Sequence, residues 1–279
     1  MAAAVSASQR RGVVSERTTG WYYQNSRISF VRSRSLTLLS SFLVLFLELA
    51  LIRWLPSYIR LLSYFSNFIL LASFLGIGLG CLLANRRVRL FPWFPLIQAA
   101  VVAAVYFFRL EVAAPSASTI YFSSGTTDNV VVVESTLLLP LIFLVVVALF
   151  AAVAQRMGSE MADGPPLEAY TVNVAGSLAG VLAFFLVSWL QLSPPYWFGV
   201  AAAATLPLLF TGERGRPRYS PVLVAGAVVA LVGIVAITAA MARGTIWSPY
   251  YKLTVRQEGP DTVIEVNNIF HQSMARLDQ

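Results

Sequence analysis

Seven stretches of the chain read as nearly uninterrupted apolar residues: Leu36–Leu51, Leu61–Leu83, Phe91–Phe108, Leu137–Ala154, Tyr170–Leu190, Tyr196–Phe210 and Pro221–Ala242. Most approach the roughly 20 residues that cross a hydrocarbon core about 30 Å thick. Lipid offers backbone N–H and C=O groups no partner, so each run is predicted to be helical. The Tyr196–Phe210 run is short, which predicts a tilted, re-entrant or neighbour-covered segment. After about residue 243 the pattern changes. Trp247 to Val255 is rich in aromatic and β-branched residues, Glu258-Gly-Pro-Asp261 supplies turn chemistry, and Thr262 to Val266 resumes strand composition. Two such runs around a Gly-Pro turn predict a β-hairpin. A lone hairpin is marginal in water, so it must pack on the membrane domain, on a partner or on further sequence. The fold class is therefore an all-α polytopic membrane bundle of about seven transmembrane helices with a short C-terminal β-hairpin. The chain divides into three regions: a basic tail predicted to be disordered (1–35), a helical membrane domain (36–242) and the hairpin (243–279).

Composition supports this division. Of 279 residues, 57% are hydrophobic and 12% charged, about half the roughly 25% charge of a soluble domain. The net charge of +7 would fit a nucleic-acid binder, but its distribution excludes that class. Arg10, Arg11, Arg17, Arg27, Arg32 and Arg34 precede the first span; Arg86, Arg87 and Arg89 share one short loop, and Arg214, Arg216 and Arg218 another. Arginines concentrated in short loops beside spans mark the cytoplasmic side. The N-terminus and both Arg loops are thus expected inside, with the Ser/Thr-rich stretch Glu111–Glu134 outside, in a plasma or inner membrane. Gln155–Ala169 reads as a loop or surface helix before the fifth span. Cys81 is the single cysteine, so the chain forms no internal disulfide.

Candidate chemistry is sparse. Glu48 lies inside the first span, where a carboxylate is costly and raises a functional question by default. Arg53 is about 140° away around the helix and does not share its face. Glu48 is expected to face the bundle and meet Asn67 or Asn173, while Arg53 snorkels to the interface. Such a carboxylate serves either as a polar clamp or as a binding group for a cation, proton or amine. Gly76 with Gly80, and Gly176 with Gly180, have the small-xxx-small spacing that lets helices approach closely; the alternative is a substrate pathway lined by these glycines. Gly76-Ile-Gly-Leu-Gly80 lacks the spacing and the strand context of a dinucleotide loop. His271 is the only histidine, with no neighbouring ligands for a metal and no nucleophile for a triad. It is either a satisfied polar residue or a contact to a small ligand.

Glu48-Leu-Ala-Leu-Ile-Arg53, Phe74-Leu-Gly-Ile-Gly-Leu-Gly80 and Ala169-Tyr-Thr-Val-Asn-Val-Ala-Gly-Ser-Leu-Ala-Gly180 resemble the membrane region of spermidine synthase-like membrane proteins. Ser248-Pro-Tyr250 with Val255, and Val266-Asn-Asn-Ile-Phe-His-Gln272, resemble the first strands of the soluble aminopropyltransferase fold. The resemblance implies aminopropyl transfer from decarboxylated S-adenosylmethionine to putrescine in a Rossmann-like domain that would follow Gln279. It implies that the present chain is the membrane-embedded N-terminal part, lacking that domain and inactive alone. No cofactor is expected in this chain; decarboxylated S-adenosylmethionine is a substrate only with the downstream domain. The ligand contacts implied by the resemblance are Gln272 and Tyr250; His271 is a candidate on its own chemistry alone. The implied partners are the bilayer and a following or separately encoded synthase domain, with no nucleic acid. The alternative is a transporter-like bundle that binds a cation or polyamine around Glu48. Seven crossings from an inside start leave the hairpin outside, away from the cytoplasmic nucleotide pool.

Overall fold

The computed structural model describes residues 32–59, 62, 65, 67–108, 111–113, 132–162, 164–213, 216–259 and 261–274. The basic tail, apart from its last residues, and most of the Glu111–Glu134 stretch lie outside the described residues. Among the described residues, seven α-helices stand at the seven apolar runs: α1 (Arg32–Trp54), α2 (Asn67–Leu83), α3 (Phe94–Phe108), α4 (Ser135–Ala162), α5 (Pro166–Trp189), α6 (Pro194–Thr211) and α7 (Pro221–Met241). By length and apolarity, four can cross a membrane: α1, α4, α5 and α7. The helices at Asn67–Leu83 and Phe91–Phe107 are apolar but shorter, and α6 is not among the four. Seven full-length spans is thus more than helix length and composition support.

Local sequence sets several helix starts. Pro166, Pro194 and Pro221 each open a helix, where the missing N–H would have had no intrahelical partner. The end of α6 is set by Gly212, whose φ of 61° most side chains avoid. One boundary departs from expectation. Gln155, Arg156 and Glu160 read as part of a connection, but α4 continues through them to Ala162. Arg156 and Glu160 pair at 2.8 Å one turn apart, so the continued helix satisfies charges that read in sequence as the end of a span.

The helices alternate in direction. The N-terminus of α1 meets the end of α6, where Arg32 donates to the Thr211 carbonyl at 2.6 Å, and the start of α5, where Arg34 pairs with Glu168. The Gln155 side chain ties α4 to the loop after α2, donating to the carbonyls of Leu83 (3.0 Å) and Val88 (2.7 Å) and accepting from the Leu90 N–H (2.6 Å). Arg156 donates to the Gly212 carbonyl at 2.6 Å. All these contacts lie at one end of the bundle, hereafter the Arg-rich end. There Arg89 pairs with Glu213 at 3.4 Å and lies 4.1 Å from the Tyr219 ring, while Arg216 donates to the Arg86 carbonyl at 2.8 Å. Tyr219 donates to Glu213 at 2.9 Å. Burial pushes its phenol up to about 12, opposed by Arg156 and reinforced by Glu213.

At the opposite end the chain forms a sheet. The expected hairpin is instead a four-stranded antiparallel meander: β3 (Thr245–Trp247), β4 (Lys252–Glu258), β5 (Asp261–Val266) and β6 (Ile269–Met274). A separate short parallel pair, β1 (Glu111–Ala113) with β2 (Val132–Glu134), brackets the long connection between α3 and α4. Gly259, with φ 63°, turns β4 into β5, as the Gly-Pro dipeptide predicts. The second turn is Asn267-Asn268, with φ 51° and 63°. Two residues with positive φ between the paired Val266 and Ile269 make a turn whose twist suits a hairpin. Trp247 pairs with Lys252 across β3 and β4, and both are buried against the bundle.

Candidate functional site at the junction of sheet and bundle

Arg53 sits in the last turn of α1, and its side chain organises the junction. Nη1 donates to Ser188 Oγ near the end of α5 at 2.8 Å, and Nη2 donates to the carbonyl of Ser248, just after β3. The guanidinium lies 4.7 Å from the ring centroid of Trp197 in α6 and 5.5 Å from that of Trp247 in β3. The two indoles meet edge to face at 5.0 Å. Arg53 is half-buried and held by three other elements. The planar guanidinium explains this, because it forks between two acceptors while stacking on aromatic rings. Nε is buried without a hydrogen-bond partner among the described residues.

A second cation lies beside it. Lys252 is 3% exposed; its Nζ stands 4.0 Å over the Tyr58 ring and donates to Asn268 Oδ1 at 2.7 Å. The turn asparagines wrap its backbone as well, since the Lys252 N–H donates to Asn267 Oδ1 at 3.0 Å and its carbonyl accepts from the Asn267 N–H at 2.9 Å. Burial pushes the Lys252 ammonium down to about 8, against the pull of Glu265 and with that of Arg256. Tyr58 packs at a tilt against Trp54 and Trp247 and donates to the Met241 carbonyl at 3.3 Å, which links the ends of α1 and α7 to the sheet. The sequence reading missed Lys252, Tyr58, Trp197, Trp247 and Ser188. One signal was available: Lys252 is the only lysine among 20 basic residues.

The polar residues within the bundle lie elsewhere. Glu48, 2% exposed, accepts a hydrogen bond from Ser73 of α2. Asn67 is exposed at the start of α2, and Asn173 accepts from Ser41 at 2.7 Å. The expected partners of Glu48 are therefore replaced by a serine of α2, and Ser41–Asn173 forms a separate α1–α5 contact. The four glycines mark two helix crossings. A Cβ on Gly76 would stand 2.6 Å from the Val147 carbonyl oxygen, and one on Gly80 2.6 Å from that of Ala151, both on α4. Gly176 and Gly180 of α5 lie as tightly against the Leu38 and Phe42 carbonyls of α1. Tyr250, His271 and Gln272 are exposed on the sheet: Tyr250 at the bend between β3 and β4, the other two on the edge strand β6. They are not brought together with Glu48 or Arg53 by any contact among the described residues. Among those residues, too, no group of three or more His, Cys, Asp or Glu could hold a metal ion.

Comparison with protein-family models, curated proteins and solved structures finds no match to this chain.

Proposed function

We propose that this chain is the membrane-embedded platform of a spermidine synthase-like protein, which holds the first strands of the synthase fold rigidly against the bundle. The observation that carries the reading is the Arg53 junction, through which α1, α5, α6 and β3 share one guanidinium. A flexible tether would need no such contact. The residues that resemble the first aminopropyltransferase strands, Ser248, Tyr250, Val255 and Val266 to Gln272, fall within or beside this sheet. The proposed role is anchoring, with aminopropyl transfer left to a synthase domain outside this chain.

All seven helices cross the bilayer in this reading, with the Arg-rich end cytoplasmic. The alternating contacts and the gathering of Arg32, Arg34, Arg86, Arg87, Arg89, Arg156, Arg216 and Arg218 at one end support it. The shorter helices α2, α3 and α6, of 17, 15 and 18 residues, span about 26, 23 and 27 Å at 1.5 Å per residue, and a 3-10 turn at Phe91–Trp93 leads into α3. A modest local thinning of the bilayer accommodates that length. The sheet then faces away from the cytoplasm and its nucleotide pool.

Single cysteines in a Cys81→Ser background test the topology. A membrane-impermeant maleimide should label Gln272→Cys on intact cells and Arg87→Cys only after permeabilisation; the reverse pattern would invert the reading. For the division of labour, purified chain incubated with decarboxylated S-adenosylmethionine and putrescine should give no spermidine. Product formation would refute a purely anchoring role.

A further inference from the structure

We infer that the bend between β3 and β4 is a membrane-interface anchor, in which Tyr250 and Tyr251 enter the lipid headgroup layer beside the end of α5. The inference rests on the membrane-spanning reading above. Arg53 fixes the placement, because its one guanidinium bonds both Ser188 and Ser248. The residues just beyond each serine are therefore held at one level of the molecule.

Those residues are aromatic and apolar on both sides. After Ser188 come Trp189 and Leu190, both strongly exposed; after Ser248 come Tyr250, 77% exposed, and Tyr251, 54% exposed. Tyr196, at the start of α6 next to the buried Trp197, is exposed at the same end, as is Ile246 next to the buried Trp247. Trp197 and Trp247 touch at 5.0 Å, which ties these two neighbours to the same level. Exposed tryptophan and tyrosine at the ends of apolar helices form the belt that bilayer-water boundaries favour, because each ring has an apolar body and a polar tip. The tyrosine rings, 6.4 Å apart, extend that belt from the helices onto the sheet. In water the same pair would leave two large rings mostly uncovered. The occupant is thus the headgroup and upper acyl region of the lipid around α5, the least buried of the four long helices.

Site-specific quenching tests this in vesicles of phosphatidylcholine. In the Cys81→Ser background, Tyr250→Cys and, as a second variant, Tyr251→Cys carry a bimane label, with Leu182→Cys in α5 and Gln272→Cys in β6 as references. Labels at 250 and 251 should lose fluorescence to phosphatidylcholine spin-labelled near its headgroup and be shielded from aqueous iodide relative to Gln272. Leu182 should be quenched by phosphatidylcholine spin-labelled along its acyl chain. If Leu182 is instead quenched by iodide, the membrane-spanning reading falls, and this inference with it. If Leu182 behaves as expected while 250 and 251 match Gln272 in iodide quenching, the anchor alone is refuted.

Discussion

The guanidinium of Arg53 lies 5.5 Å from the ring centroid of Trp247, so a cation at the end of the first helix is covered by the first strand of the sheet. With the bonds to Ser188 and Ser248, this makes Arg53 a central link between sheet and bundle. Replacing it by methionine removes two hydrogen bonds and the stacking, and leaves the Ser248 carbonyl without this donor. The expected loss is about 1–3 kcal/mol of docking free energy. Hydrogen exchange should show it as faster exchange in β3 and β4, with α1 and α5 unchanged. Arg53→Lys should recover only part, because an ammonium lacks the planar two-nitrogen fork that bonds the two acceptors while lying against the indoles.

The close helix crossings give a sharper contrast. Gly180→Ala places a methyl against the Phe42 carbonyl, and Gly76→Ala one against Val147 and Phe150. Each should lower the midpoint of thermal unfolding in detergent through overpacking of about 1–3 kcal/mol. Gly78, on the same helix as Gly76, has open space around its would-be Cβ. Gly78→Ala should be neutral or slightly stabilising, by the roughly 1 kcal/mol of helix propensity that separates the two residues. Equal effects at positions 76 and 78 would contradict the packing described.

Glu48→Gln separates a clamp from a cation site. The glutamine carbonyl can still accept from Ser73, so stability should change little. Ser73→Ala, which strips that hydrogen bond from the buried carboxylate, should cost about 1–3 kcal/mol. Uptake of radiolabelled spermidine into vesicles should be the same for Glu48→Gln and the parent chain. Uptake that depends on Glu48 would favour the transporter-like alternative.

Lys252 predicts a pH dependence with a definite sign. Its ammonium titrates near 8 when the sheet is docked, against 10.5 for an unperturbed lysine. Below about 8 both forms are protonated and the burial cost is fully present. Between about 8 and 10.5 the undocked form binds the extra proton, so docking strengthens as pH rises, by roughly 3 kcal/mol in total. Sheet protection measured from pH 7 to 10 should therefore increase in the parent chain. In Lys252→Met that rise should be absent.

Local signals made the larger pattern legible. The seven apolar runs foretell seven helices because helix formation in an apolar run needs only neighbours in sequence. The Gly-Pro turn was readable for the same reason, and so in principle was Asn267-Asn268, which stands inside a segment that resembles a single strand. The α4 boundary was not, because Arg156 and Glu160 look like the end of a span until their pairing and the Gly212 carbonyl are in place. Arg53 was hidden for a related cause. A cation near a helix end ordinarily reaches water, and nothing local to it shows that Ser188, 135 residues on, and Ser248, 195 residues on, converge there. The choice of Ser73 over Asn67 or Asn173 beside Glu48 likewise depends on helix rotation, which the apolar runs leave open because most of their faces are alike.

The spacing between Arg53 and Ser248 also bears on how the molecule is made. Ser248 is synthesised 195 residues after its partner, about 10 to 40 s later at 5–20 residues per second. Throughout that interval the first helix carries a cation whose final acceptor does not yet exist. The nascent chain therefore needs a temporary shelter for Arg53, either water at the bilayer surface or the insertion machinery, and the arrival of the sheet at the bundle releases it.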